Sequence, residues 1–209
     1  MKTVLILGAG GFIGSNLAKR LHREDNKIIG VDLVKPKYIN TDDYFHDFIL
    51  MDLSIQDAIR PILEVFRPNE IYQLAADMGG AGYIFTGYND VNIMHNSVMI
   101  NLNLLKAIRE IKLKTKIFYS SSACIYPKYK QEDPNVKPLK ESDAYPADCE
   151  AGYGWEKLIS ERMYTNFYED HGLDVRIARY HNIFGPEGTY QGGREKAPSA
   201  LCRKIVQAK

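Results

Sequence analysis

Three glycines constrain this chain more than any other feature. Gly8, Gly11 and Gly14 lie between an apolar run, Thr3–Leu7, and an amphipathic run over 12–23 that puts Ile13, Leu17 and Leu21 on one face. The first run reads as a strand and the second as a helix. Between them, the first glycine permits a tight turn and the second lets the backbone approach a pyrophosphate. The third lets the helix pack closely on the strand, while the helix N-terminus offers amide donors and partial positive charge. Gly8, Gly11, Phe12, Ile13 and Gly14 are therefore the expected phosphate cradle of a dinucleotide site. The competing reading is a turn that is merely rich in glycine, and the strand and helix on either side weigh against it.

The same alternation continues along the chain. Short apolar runs at 27–31, 48–51, 70–75, 115–119 and 174–179 read as strands. Helical patterns are expected from an N-cap at Ser54 to Phe66, over 91–111, over 150–171 and over 198–208. The segment 123–146, with its prolines and many charges, reads as loop, as does the glycine-rich 185–194. Strands alternating with helices predict an α/β fold, a doubly wound parallel Rossmann sheet with its functional loops at the carboxyl ends of the strands. The expected organisation is a dinucleotide-binding domain at 1–180 and the start of a small, truncated substrate domain at 181–209.

Charge and cysteine usage exclude several classes. With 27 Lys and Arg against 26 Asp and Glu, the net charge of +1 leaves no excess to neutralise many phosphates, so no nucleic-acid partner is expected. No apolar run approaches the ~18 residues of a membrane helix, and the N-terminal strand runs into glycines rather than a cleavage site. Cys124, Cys149 and Cys202 are odd in number and far apart, and the histidines form no ligand cluster. No metal is expected, and a reducing cytoplasm fits better than a disulfide scaffold.

Further candidates follow from position. Asp32 ends the second strand, where a carboxylate bonds a ribose 2′-hydroxyl and repels a 2′-phosphate, favouring NAD over NADP. Its alternative is a loop acid, and Lys35 and Lys37 stand nearby. Asp52, after the third strand, either accepts from the adenine amino group or caps the next helix. Ser120–Ser122 close the fifth strand, and Tyr153 and Lys157 share one helix face four residues apart. An ammonium near a phenol favours the phenolate, and a serine hydroxyl holds a substrate oxygen while its proton leaves.

With these residues in order, the chain resembles the extended short-chain dehydrogenase/reductases that act on sugar nucleotides. Gly8–Gly14, Leu74-Ala75-Ala76, Ser120–Ser122, Tyr153-Gly-Trp-Glu-Lys157 and Arg179-Tyr-His-Asn-Ile-Phe-Gly-Pro186 carry the resemblance over nearly the whole length. Asp77–Gly82, Ser121–Pro127, Lys140–Asp143 and Gly192–Pro198 resemble the branch that inverts two sugar carbons. One departure, Ala81-Gly-Tyr83 in place of Met-Gly-Phe, bears on sugar fit.

The resemblance implies NAD as cofactor, held also by Leu74, Ala75, Ala76, Tyr153 and Lys157. It implies a nucleotide-sugar substrate, a homodimer, and 3,5-epimerisation of GDP-mannose through a transient 4-keto sugar. Ser122, Tyr153 and Lys157 would serve the redox step. Cys124 as base and Lys196 as acid would act on C3 and C5. Gly79, Ser122, Ala123, Cys124, Asn182, Glu195, Lys196, Ala197 and Lys204 would contact substrate. Plainer readings stand beside these. They are a small buried thiol for Cys124, a solvated surface for Lys196, Arg203 and Lys204, a turn brace for Asn182, and core or dimer surface for Trp155. Family members continue well beyond this length, so the chain is expected to hold the catalytic residues without the whole substrate site. The rivals are a 4-epimerase or 4,6-dehydratase, and, from another class, a non-catalytic NAD-binding sensor or scaffold. Ala123-Cys124 stands where a dehydratase typically has an acidic pair.

Overall fold

The computed structural model describes residues 1–132, 135 and 137–208. Positions 133, 134 and 136 of the expected loop, and 209 at the end of the second expected domain, lie outside the described residues. In chain order the elements are β1 (Thr3–Leu7), α1 (Phe12–His22), β2 (Lys27–Asp32), α2 (Thr41–Tyr44) and β3 (Asp47–Leu50). They continue with α3 (Arg60–Phe66), β4 (Glu70–Gln73), α4 (Ala81–Ile84), α5 (Asp90–Glu110) and β5 (Lys116–Ser122). The last are α6 (Gly152–His171), β6 (Asp174–Tyr180) and α7 (Ala197–Gln207). The strands form one sheet in the order β3-β2-β1-β4-β5-β6, every pairing parallel. The order reverses between β1 and β4, and there the carboxyl ends of the strands open a crevice.

Strand periodicity builds two cores from one strand. Leu5 and Leu7 point to the face covered by α3, α5 and α6, with Ile29, Ile71, Ile117 and Tyr119. Val4 and Ile6 point to the other face, against Ala18 and Leu21 of α1, with Ile28 and Phe45. Parallel strands buried on both faces read as continuous apolar runs, which is why these strands were legible.

Several expected boundaries move, each for a local reason. Ser54 does not cap a helix to Phe66. Its amide and hydroxyl both donate to Asp52 Oδ1, at 2.9 and 2.6 Å, and Asn103 Nδ2 donates to the carbonyls of Leu53, Ser54 and Ile55. The helix starts later, at Arg60, with Pro61 in its first turn, where a missing N–H costs nothing. β4 ends at Gln73 because that side chain, donating to Ala75 O and accepting from Ala75 N–H, replaces the next ladder step. β5 runs past Tyr119 to Ser122 because β6 pairs with it throughout, Ser122 opposite Tyr180. The short α2 and α4 lie outside the expected helices.

Gly14 shows why the glycine spacing is strict. A Cβ there would lie 2.2 Å from the Gly8 carbonyl oxygen, backbone against backbone. Gly14→Ala is therefore expected to cost about 3 kcal/mol, at the upper end of overpacking penalties, seen as a lower midpoint in urea unfolding. An unchanged midpoint would mean that α1 can back away from β1 freely.

Candidate active site

A cleft of about 840 Å³ runs along the carboxyl ends of the strands. One end is built for a nucleotide. Gly8, at φ +83°, turns the chain out of β1 while the Gly8 and Ala9 amides donate to Val31 O. Gly11 precedes α1, whose first turn carries no acidic residue, so its amides face the cleft with their partial positive charge uncancelled. Gly8, Gly11, Phe12, Ile13, Gly14, Asp32, Asp52, Leu74, Ala75 and Ala76 all line this cleft. Asp32 Oδ2 accepts the Gly10 amide at 2.9 Å and Oδ1 accepts the Val34 amide at 3.2 Å. The carboxylate therefore ties the glycine turn to the end of β2. Gly10, which the spacing argument did not single out, is part of that tie.

The other end gathers the chemistry. Ser122 ends β5, and its Oγ accepts the Cys124 amide at 3.2 Å. A 3-10 turn over Ala123–Ile125 swings Cys124 back against Tyr153, Ile84 and Ile93. Gly154 makes this meeting possible: a Cβ there would stand 2.3 Å from the Cys124 carbonyl oxygen. Tyr153 is the second residue of α6, and one turn later the Lys157 ammonium lies 5.6 Å from its ring centroid and 5.0 Å from that of Tyr119. Burial pushes the Tyr153 phenol above its ordinary range, and the Lys157 charge and Ser122 hydroxyl pull the other way.

The two neighbouring cysteines are held differently. Cys149 is buried, donates to Ile125 O at 3.3 Å, and is pushed up to about 11 chiefly by burial, which marks it as inert. Cys124 is partly exposed and lines the cleft. Lys196 lines the same cleft, and its ammonium donates to Gly79 O at 3.1 Å. Burial lowers the Lys196 pKa, and the Cys124 thiol acts against that shift.

The segment carrying Lys196 is strapped across the cleft. Arg194 stacks 3.9 Å above the Tyr83 ring and donates to Met78 O. The Tyr83 hydroxyl donates to Asp77 Oδ1 at 2.8 Å, and Asn96 donates to Asp77 Oδ2. Tyr83, which with Ala81 departs from the resembled pattern, thus uses its extra hydroxyl. Asp77, Arg194 and Ser199 also line the cleft and were not expected. For Ser199 the signal was available, since it lies one helical turn beyond Lys196.

Of the expected substrate contacts, Gly79, Ser122, Ala123, Cys124, Asn182 and Lys196 line the cleft, whereas Glu195, Ala197 and Lys204 do not. Glu195 faces Arg203 at 3.3 Å, and Ala197 and Lys204 are exposed. Within α7 the helical turn brings Ser199 to the cleft and leaves Ala197 and Lys204 exposed, whereas Glu195 precedes the helix. Among the described residues no group of His, Cys, Asp and Glu could hold a metal ion, and no helix is long and apolar enough to cross a membrane.

A family model described as the NAD dependent epimerase/dehydratase family matches residues 4–209. GDP-mannose 3,5-epimerase 1 of Oryza sativa subsp. indica is 46% identical over 201 residues, covering 96% of this chain and 52% of that protein. GDP-mannose 3,5-epimerase of Arabidopsis thaliana is 43% identical over 201 residues, again 96% of this chain and 52% of its own. A solved UDP-glucose 4-epimerase from Brucella ovis in complex with NAD superposes with a TM-score of 0.73 at 26% identity, covering 87% of this chain and 52% of that one. The chain spans about half the length of the curated relatives it matches.

Proposed function

Because the chain belongs to the NAD dependent epimerase/dehydratase family, we propose that it binds NAD in this cleft and carries the catalytic residues of a GDP-mannose 3,5-epimerase. One observation carries the reading: Cys124 and Lys196 line the same cleft as Ser122, Tyr153 and Lys157. A plain 4-epimerase needs only the last three. The residues fit the cofactor, with a glycine turn at φ +83°, free helix amides and a carboxylate at the end of β2. Asp32 would hold the adenosine ribose, and Asp52 the adenine amino group through the oxygen that Ser54 leaves free. Leu74, Ala75 and Ala76 would pack beside the dinucleotide.

NAD, when bound, supplies the hydride acceptor and donor that make the sugar C4 a ketone and restore it. Ser122 holds the C4 oxygen, and Tyr153 takes and returns its proton with Lys157 behind it. Beside a ketone the hydrogens on C3 and C5 are acidic. Cys124 removes them as base, and Lys196 delivers protons from the opposite side. Gly79, Ala123 and Asn182 position the sugar. Residues 1–180 form the cofactor-binding domain and 181–209 the start of the substrate domain. The protein works in the cytoplasm as a homodimer, for which α5 and α6, packed together with Leu102, Trp155 and Ile159 exposed, offer the surface.

The test is incubation of the protein, extended to the full length of its relatives, with NAD and GDP-mannose in heavy water, read by NMR and mass spectrometry. Deuterium at C3 and C5 is expected. Inversion at C4 without solvent deuterium would replace this reading with a 4-epimerase, and NAD binding without any turnover would favour a sensor. Asp32→Ala should weaken NAD more than NADP in calorimetry. Equal loss for both would assign Asp32 to bracing Gly10 alone.

A further inference from the structure

Glu156 is a buried carboxylate that the mechanism above does not use. It stands beside Lys157 on α6, its side chain fully buried, with Lys157 Nζ 3.5 Å from Oε1. Neither of its oxygens has a hydrogen-bond partner among the described residues. A carboxylate in such a place is costly unless an opposite charge offsets it, and Lys157 is the cation there. The surroundings are otherwise neutral. Tyr119 of β5 and Tyr153 and Tyr164 of α6 face the pair, Ser160 lies one turn on, and Asn101 of α5 bonds Ser160, Tyr164 and Gln73. Asp77 also bears on Glu156, and the Cys124 thiol, packed against Tyr153, bears on that phenol.

We propose that Glu156 is a positioning residue for the redox step, acting through Lys157: the two form a neutral buried ion pair beneath Tyr153. This rests on the reading of Tyr153 and Lys157 as the redox pair. Burial works against both charges: it raises the Glu156 pKa, against which the Lys157 charge acts, and it disfavours the Lys157 ammonium, where the carboxylate and the nearby phenols outweigh it and keep the ammonium charged. An ammonium with no counter-charge would pull the Tyr153 proton off too readily. In an epimerase the same tyrosine must take the C4 proton and give it back, which requires an affinity matched to both directions. Glu156 moderates the pull of Lys157, and its charge raises the Tyr153 pKa.

The experiment needs neither substrate nor cofactor. The chain is labelled with 13C at the tyrosine Cζ, and the Tyr153 signal is assigned by its loss in Tyr153→Phe. Its pH titration is then followed in the wild type, Glu156→Gln and Glu156→Asp. Glu156→Gln should move the Tyr153 midpoint to lower pH by about one unit, and Glu156→Asp should keep it near the wild type. An unchanged or higher midpoint in Glu156→Gln overturns the proposal. If Glu156→Gln does not fold, the double variant Glu156→Gln/Lys157→Met should fold again, because both charges are then gone. A double variant no more stable than the single one overturns it equally. Since the readout is tyrosine ionisation, it stands apart from whether the protein epimerises GDP-mannose.

Discussion

Tyr153→Phe is expected to lower hydride exchange at the sugar C4 and epimerisation together by about 10²–10⁴-fold, the usual worth of a positioned acid–base group. The substitution removes one oxygen and keeps the ring that packs against Ile84 and Ile93. Stability should change little, and calorimetry should find NAD affinity within a few-fold of the wild type. A single-turnover assay with substrate deuterated at C4 separates the outcomes. If the label still leaves C4 at the wild-type rate, Tyr153 is not the redox acid–base and the proton must leave through another group. Ser122 is the neighbour to examine next, since it lines the same cleft.

The second large effect separates the two chemical stages. Cys124→Ser keeps size and a hydroxyl, but a serine holds its proton far more tightly than a thiol does. The variant should still exchange hydride at C4 while solvent deuterium at C3 and C5 falls by about 10²-fold or more. Lys196→Met should also keep C4 oxidation and lose correct reprotonation. The wild type adds a pH signature. Burial holds the Lys196 pKa below its ordinary 10.5. The fraction able to donate a proton is full below its pKa and falls as pH rises through it, so the alkaline limb of epimerisation should begin earlier than for an exposed lysine. That limb should be absent from C4 exchange. Wild-type exchange at both carbons in Cys124→Ser would make the cysteine structural.

Much of this protein is local, and local features are legible in a sequence. The parallel sheet followed from apolar strands alternating with helices, because strands covered on both faces must be apolar throughout. Gly8, Gly11 and Gly14 were readable because a tight turn and a close helix each demand a missing side chain at a fixed spacing. Tyr153 and Lys157 share a face by helix geometry alone. Tertiary structure decided the rest. That Lys196 reaches Gly79 depends on a strap closing over more than a hundred residues of intervening chain, which no spacing encodes. The turn of α7 likewise leaves Ala197 and Lys204 exposed while Ser199 lines the cleft, and Glu195, just before that helix, is paired with Arg203. Asp52 took Ser54 for its own turn and delayed α3, since a side-chain hydroxyl goes to the nearest strong acceptor. Glu156, an ordinary surface residue by type, became a buried partner of Lys157 only because α5, α6 and β5 close around it. Its charge has meaning only in that low-dielectric setting.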